Sequence, residues 1–292
     1  MKRILITGAT GNIGYEVIRF IYKIPTKNQL VAGVRNIDKA REKFNDYPQL
    51  KFVQFDFENP DTFNQALKNI DRIFLLRPPH LANVDKYFKP LIGKLKDEEI
   101  NEIIFLSVQG VEKSPIIPHH KIEKLIREYG LQYIFIRPSY FMQNLTTILL
   151  KDIQNKRKII LPAGKAKFNW IDVENIGEVS AILLENFEQY KNQAVEITGY
   201  ENKNFYEVTE VINRSVVDKI DYISPNLFRF YNIKRRDGLE KEMILVMIML
   251  HFLPRFQKEP IIFDFYEQLT AKKPTSLKQF IEREYKQFCS LR

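Results

Sequence analysis

The residues best suited to chemistry gather at the start of the chain. Thr7-Gly8-Ala9-Thr10-Gly11-Asn12-Ile13-Gly14 sets three glycines at three-residue spacing directly after the apolar run Ile4-Leu5-Ile6. A pyrophosphate binds where backbone N–H groups at a helix N-terminus can approach it without an intervening side chain. On this pattern Gly8 turns the chain and Gly11 opens the backbone to phosphate oxygens. Gly14 lets the next helix sit close to the strand, and Thr10, Asn12 and Ile13 complete the cradle. About twenty residues further on, Arg35 closes a second apolar run, Leu30 to Val34. An acidic residue there would hold the ribose hydroxyls of NAD, whereas an arginine offers a fork of donors to the 2′-phosphate of NADP(H). The plain alternative is a solvated surface arginine. His120 and Lys124 lie four apart and so share a helical face. Histidine, with an ordinary pKa of about 6.5, exchanges a proton at neutral pH, so His120, or His119 beside it, could serve as an acid. The plain alternative is a helix N-terminus whose histidines bond locally. The four histidines and one cysteine show no zinc-like spacing, and no metal site is expected.

Composition sets the class. The 292 residues are 45% apolar, enough for a sizeable core. Cys289 is the sole cysteine, so no intramolecular disulfide forms, which favours a reducing, cytoplasmic setting. Lys2-Arg3 is not followed by a signal-peptide hydrophobic region. The net charge of +9 suits nucleic acid, an acidic membrane or a phosphate-bearing cofactor. There is no run of five like charges and no basic stripe interleaved with aromatics, so no nucleic-acid partner is expected. Met243 to Leu253, interrupted by His251, falls well short of the roughly 20 residues that span a bilayer. It is expected to be a buried helix. A roof over an apolar pocket, or a membrane-touching helix flanked by Arg235, Arg236, Lys241 and Arg255, are the alternatives. No membrane partner is expected.

The elements that must position these residues alternate. Apolar runs at 4–6, 30–34, 51–55, 71–76, 102–106 and 131–137 read as strands. The segments after them, including 15–24, 37–45, 60–68 and 82–95, have helical patterns. Continuous apolar strands are those buried on both faces, and strand–helix alternation with right-handed crossovers gives a doubly wound parallel α/β sheet. Ligands then bind at the carboxyl ends of the strands. Past residue 150 the alternation loosens. A strand near Trp170, a helix 176–184, a strand 194–198 and a mainly helical remainder predict a Rossmann domain over 1–150 and a smaller C-terminal lobe over 151–292.

Several segments, in order, resemble a known family. The glycine motif is similar to that of the atypical, extended-type short-chain dehydrogenases. Leu106-Ser107-Val108-Gln109-Gly110-Val111, His119-His120-Lys121-Ile122-Glu123, Arg137-Pro138-Ser139-Tyr140-Phe141-Met142-Gln143-Asn144 and Thr275-Ser276-Leu277-Lys278-Gln279-Phe280 narrow the resemblance to the NmrA-like group. The resemblance implies an NAD(P)-binding Rossmann fold over nearly the whole chain. It implies either a reductase of quinones, azo dyes or isoflavone-type substrates, or a dinucleotide-binding redox sensor that catalyses nothing. It places Asp56 and Phe57 beside the adenine, with helix capping as the alternative for Asp56. Leu76 and Arg77 fall along the ribose and phosphates, with a plain surface arginine as the alternative for Arg77. Ser107 stands where short-chain dehydrogenases often carry a catalytic serine, and Pro138 lies against the nicotinamide. Phe141, Met142 and Asn144 face the substrate, with core packing as the alternative for Phe141 and Met142. Tyr140 is a second candidate acid. The Tyr-x-x-x-Lys pair usual in short-chain dehydrogenases is absent from its place, which Pro118 to Lys124 occupy. The resemblance therefore implies His120, or His119, as the acid in place of the tyrosine and Lys124, or Lys121, as the ribose holder. Asp172 is expected to cap or brace. Three functions follow: an NADP(H)-dependent oxidoreductase of small apolar or quinone-like molecules, a sensor acting through a protein partner, and, more remotely, an epimerase. A homodimer is left open.

Overall fold

A computed structural model describes residues 1–289 and divides them into two compact units. The first holds Met1–Pro138 and Val173–Ile197; the second holds Ser139–Asp172 and the chain from Thr198 on. A single cut near residue 150 was the expectation. The chain instead leaves the first unit at Pro138 and returns to it for two helices, Val173–Glu185 and Phe187–Tyr190, and one strand.

The first unit is built on seven parallel strands: β1 (Arg3–Ile6), β2 (Gln29–Val34), β3 (Lys51–Gln54), β4 (Arg72–Leu76), β5 (Glu102–Leu106), β6 (Gln132–Pro138) and β7 (Gln193–Ile197). Their order is β7-β6-β5-β4-β1-β2-β3. Six of these strands match the apolar runs. The seventh, read from sequence as part of the C-terminal lobe, pairs with β6 from Gln193 opposite Ile134 to Ile197 opposite Pro138, which is why the chain re-enters this unit. Ile4, Leu5, Ile6, Ile73, Phe74, Leu75, Ile103, Ile104 and Phe105 are fully buried, as strands covered on both faces require. The strand order reverses between β1 and β4, the switch point where doubly wound sheets bind ligands. Thr7 locks that point. Its N–H and Oγ1 both donate to the Phe74 carbonyl (3.0 and 3.1 Å), and Oγ1 accepts from Leu76 N–H at 2.9 Å.

The helix Asn12–Ile21 buries Gly14, Val17, Ile18 and Ile21, close to the face expected from spacing. Each large apolar side chain there contributes about 2 kcal/mol of burial. It packs on the helix Val173–Glu185 at a point where a Cβ on Gly177 would lie 2.6 Å from Glu16 Cβ. Arg19 joins the two helices by reaching Glu16 at 2.5 Å and Glu174 at 2.7 Å. The single helix expected over 82–95 is instead two, Val84–Tyr87 and Lys89–Asp97. Pro90 has no N–H to give and its ring crowds the preceding turn, so the helix ends and restarts with proline at its first positions.

At the β6–β7 edge, Arg137 and Glu196 are direct register partners. Arg137 holds the buried Glu123 through two hydrogen bonds (3.0 and 2.7 Å) and reaches Glu112 and Glu196 more loosely, at 3.3 and 3.5 Å. Burial, followed by the charges of Glu112 and Glu123, outweighs Arg137 and lifts the Glu196 pKa to about 7. A carboxyl with a raised folded pKa favours the fold below its unfolded pKa, and that contribution is lost as pH rises through about 7. Glu196→Gln is therefore expected to leave stability unchanged at pH 4 and to add about 1–2 kcal/mol at pH 8. Urea melts at the two pH values check this, and equal effects at both would contradict it.

The second unit has its own core, in which Trp170, Phe205, Phe230 and Phe280 are fully buried. A three-stranded sheet orders Asn202–Lys203, Phe168–Ile171 and Tyr140–Phe141, and Lys158–Ile160 pairs with Asp221–Ile223. The helices Leu150–Lys156, Phe205–Ser215, Leu227–Arg236, Lys241–Phe252 and Leu277–Arg283 surround them. Gly199 lies so close to the Trp170 carbonyl that a Cβ there would stand 1.8 Å from the oxygen. Asp172 is completely buried and accepts from Gln143 Nε2 (2.6 Å) and Arg283 (2.8 Å), a bracing role within this unit. The helix expected to be buried over 243–253 is not: only Ile244, Met247 and His251 are buried. Among the described residues no helix is long and apolar enough to cross a membrane.

Candidate functional site

The glycine turn leaves β1 at its carboxyl end. Gly8 takes φ +59°, a region open to glycine, and Gly11 N–H closes on the Gly8 carbonyl at 2.9 Å. A Cβ on Gly14 would lie 2.4 Å from the Gly8 carbonyl oxygen and 2.8 Å from Ala9 Cα, so only glycine lets the helix start so near the strand. Gly8, Thr10, Gly11 and Asn12 are exposed while Ala9 and Gly14 are buried. The helix that follows has no side-chain cap at Gly11 and no acidic residue in its first turn. Its leading N–H groups and the positive end of its dipole are thus left for an anion.

Positive charge stands beside this turn. Lys43, at the end of the helix Ile37–Lys43, donates to the Thr10 carbonyl at 2.8 Å with its ammonium 5.0 Å from the Tyr15 ring centre. Arg35 follows β2, is exposed, and has no ion pair among the described residues. Asn36 is occupied as the cap of the Ile37–Lys43 helix, accepting from Lys39 N–H at 3.0 Å.

The remaining residues singled out from sequence divide by what already holds them. Asp56 Oδ1 accepts from Glu58 N–H at 3.0 Å, a local turn, and Phe57 is packed against Phe55 and Phe88 in the core. Leu76 backs the turn, its Cδ1 3.2 Å from where a Gly8 Cβ would be. Arg77 NH1 donates to the carbonyls of Pro78, Pro79 and Leu81 (3.0, 3.0 and 3.2 Å), and Nε donates to His119 Nε2 at 3.3 Å. Burial, and then the Arg77 charge, depress the His119 pKa to about 3, so that ring is neutral. His120 Nδ1 lies 3.0 Å from the Val111 carbonyl, leaving Nε2 uncommitted. Lys124 points to solvent and pairs with Glu128 at 3.6 Å.

Ser107 directly follows β5, buried at 1% exposure, and its Oγ has no hydrogen-bond partner. A buried hydroxyl without a partner is costly and calls for an explanation. If it serves structure alone, Ser107→Ala is neutral or slightly stabilising. If it bonds a dinucleotide, the same change is expected to weaken NADPH about 5- to 10-fold with no loss of thermal stability. Titration calorimetry beside a melting curve separates the two. Pro138, buried at the end of β6, accepts from Gln109 N–H at 2.9 Å.

In the second unit Tyr140 sits among Phe168, Trp170 and Phe205, with ring centres 5.1, 4.9 and 6.2 Å away. Its hydroxyl is 2.9 Å from His251 Nε2, while His251 Nδ1 is 2.6 Å from the Met247 carbonyl. A carbonyl can only accept, so Nδ1 carries the proton and the tyrosine donates to Nε2. Burial holds the Tyr140 pKa above its ordinary value and lowers that of His251 to about 4. Met142 is fully buried in the core of this unit; Phe141 and Asn144 are half-buried. Among the described residues no group of His, Cys, Asp and Glu is arranged to hold a metal.

The fold and the turn belong together in one class, a Rossmann-type dinucleotide-binding architecture. Residues 1–258 match the model of the NmrA-like family, and the chain belongs to that family. It is 28% identical to Prestalk A differentiation protein A of Dictyostelium discoideum over 97% of this chain and 92% of that protein. It is also 28% identical to an NAD(P)H azoreductase of Xenophilus azovorans over 77% of each chain. The crystal structure of the Citrobacter sp. triphenylmethane reductase complexed with NADP(H) superposes with a TM-score of 0.84 at 19% identity, covering 96% of this chain and 99% of that one.

Thr7 and Lys43 were missed in reading the sequence. Thr7 stands inside the motif and its hydroxyl could have been read as a strand clamp. Nothing local marks Lys43, whose partner lies 33 residues earlier.

Proposed function

We propose that the protein binds NADP(H) on the turn Thr7–Gly14 and is an oxidoreductase of small apolar or quinone-like molecules. The observation that carries the reading is the turn itself: a glycine cradle with an uncapped, acid-free helix N-terminus at the switch point of a doubly wound sheet. The residues fit such a group. Gly8, Thr10, Gly11, Asn12, Ile13 and Gly14 would take the pyrophosphate, Arg35 and Lys43 the 2′-phosphate side. Asp56, Phe57, Leu76, Arg77, Ser107 and Pro138 would frame the rest. A reduced nicotinamide supplies a hydride equivalent when bound. The chain's own part is to bind, orient and manage a proton. Ser107 Oγ is free to hold a polar atom in an otherwise apolar interior. Of the candidate proton carriers, His120 keeps a ring nitrogen uncommitted, whereas Tyr140 has already committed its proton to His251 and Lys124 faces solvent. Phe141 and Asn144 are assigned to the substrate, Met142 to packing. The relatives named as an azoreductase and a triphenylmethane reductase support this class of substrate.

The engagement of Tyr140 and Lys124 also favours a second reading, an NADP(H) sensor that acts through a protein partner without turnover. Stopped-flow oxidation of bound NADPH against quinones, azo dyes and enones decides between them. The oxidoreductase reading expects oxidation with at least one class, reduced about 10²-fold or more in His120→Ala. Tight binding with no oxidation across the panel would overturn it in favour of the sensor.

A further inference from the structure

The helix Lys241–Phe252 is apolar all round, and its neighbour Leu227–Arg236 packs on it. Ile244, Met247 and His251 point into the core, at a spacing that defines one helical stripe. The opposite stripe is left open: Leu245 (49% exposed), Val246, Met249, Leu250 and Leu253 lie along it, and Phe256 (74%) follows in the next turn. An apolar helix this exposed is unusual for a surface that meets only water. The neighbouring helix shows Phe228 (79% exposed) with Arg229, Arg235 and Arg236, which fall on one face at i, i+1, i+7 and i+8. Lys241, Arg255 and Lys258 are exposed at the two ends of the apolar stripe, and the Arg255 guanidinium lies over the Phe252 ring at 5.2 Å. The acidic residues nearby are fewer. Glu240 and Glu242 stand at the start of the helix, while Asp237 is paired with Lys156 and Glu259 with Lys167.

We infer that this two-helix surface docks on an anionic phospholipid membrane, with the apolar stripe entering the interface and the arginine and lysine side chains taking the headgroup phosphates. The charge decides the occupant. Arg229, Arg235, Arg236, Lys241, Arg255 and Lys258 outweigh Glu240 and Glu242, so two copies would set one net positive face against another. An anionic leaflet instead complements it, and its acyl region receives Leu245, Met249, Leu250 and Phe256. The helix is too short to span, about 18 Å, so it lies along the surface. The inference does not depend on the oxidoreductase reading. It takes up the membrane-touching alternative for this helix in place of the expected buried one, since only Ile244, Met247 and His251 of the helix are buried.

The test is flotation of the full chain with vesicles of phosphatidylcholine alone and with about 30% phosphatidylserine added, a content that gives a strongly negative surface. Flotation is expected on the anionic vesicles and not on the neutral ones, and it should fall as salt is raised. Arg235→Glu with Arg236→Glu, and separately Leu245→Asp with Leu250→Asp, should each weaken partition at least about tenfold. All four positions are solvent-exposed, and circular dichroism confirms that the variants keep their helices. Absence of flotation overturns the proposal, as does equal flotation on neutral vesicles. So does a concentration-dependent dimer in sedimentation velocity that Leu245→Asp with Leu250→Asp abolishes, since a second copy would then cover the face.

Discussion

Arg35→Glu is expected to raise the dissociation constant for NADPH about 30- to 100-fold while leaving that for NADH within about threefold. Arg35 stands at the carboxyl end of β2, exposed and without an ion pair among the described residues. Its guanidinium is therefore not committed to holding the fold. A 2′-phosphate there would gain charge-assisted hydrogen bonds worth about 1.5–3 kcal/mol in sum, and glutamate replaces that attraction with repulsion. NADH carries no 2′-phosphate and loses little. Lys43 remains beside Thr10 in the variant, which keeps the loss finite. Titration calorimetry with each dinucleotide checks the ratio. Equal weakening of both, or none, would mean that Arg35 is an ordinary solvated arginine and that cofactor choice lies elsewhere.

Gly14→Ala is expected to weaken both dinucleotides by at least about 30-fold and to lower the melting temperature by about 5 °C. The new methyl would begin 2.4 Å from the Gly8 carbonyl oxygen and 2.8 Å from Ala9 Cα. Both neighbours are backbone, so no side chain can swing away to make room. The helix must move off the strand, which costs about 1–3 kcal/mol as overpacking and displaces the N–H groups from the phosphate position. The loss should strike NADPH and NADH alike, in contrast to Arg35→Glu. A variant that binds normally would show that the helix N-terminus takes no part in holding the ligand.

Much of this was legible in the sequence, for a physical reason. A strand buried on both faces must be an unbroken apolar run, so Ile4-Leu5-Ile6, Ile73-Phe74-Leu75-Leu76 and Ile103-Ile104-Phe105-Leu106 announce a covered parallel sheet by themselves. The glycines are legible because a positive φ at Gly8 and a close backbone approach at Gly14 both favour a residue without a side chain. What was not legible depends on partners far along the chain. Gln193–Ile197 has the composition of any short strand, and its place at the edge of the first sheet is decided by β6, some sixty residues earlier. His251 reads as a break in an apolar helix until the fold brings it to Tyr140, 111 residues away. Arg77 reads as a free cation at a strand end, yet three carbonyls of its own loop hold it. The outward stripe of Lys241–Phe252 misled for a related reason. Its residues are apolar on every side, so periodicity alone cannot tell a buried helix from one with an open face.

The account rests most on the claim that the turn Thr7–Gly14 holds a nicotinamide dinucleotide. Titration calorimetry of NADPH and of NADH into the full chain at low ionic strength tests it directly. One dinucleotide bound per chain, NADPH tighter than NADH, and both weakened at least about 30-fold in Gly14→Ala is the predicted result. A folded protein that takes up neither dinucleotide would contradict it.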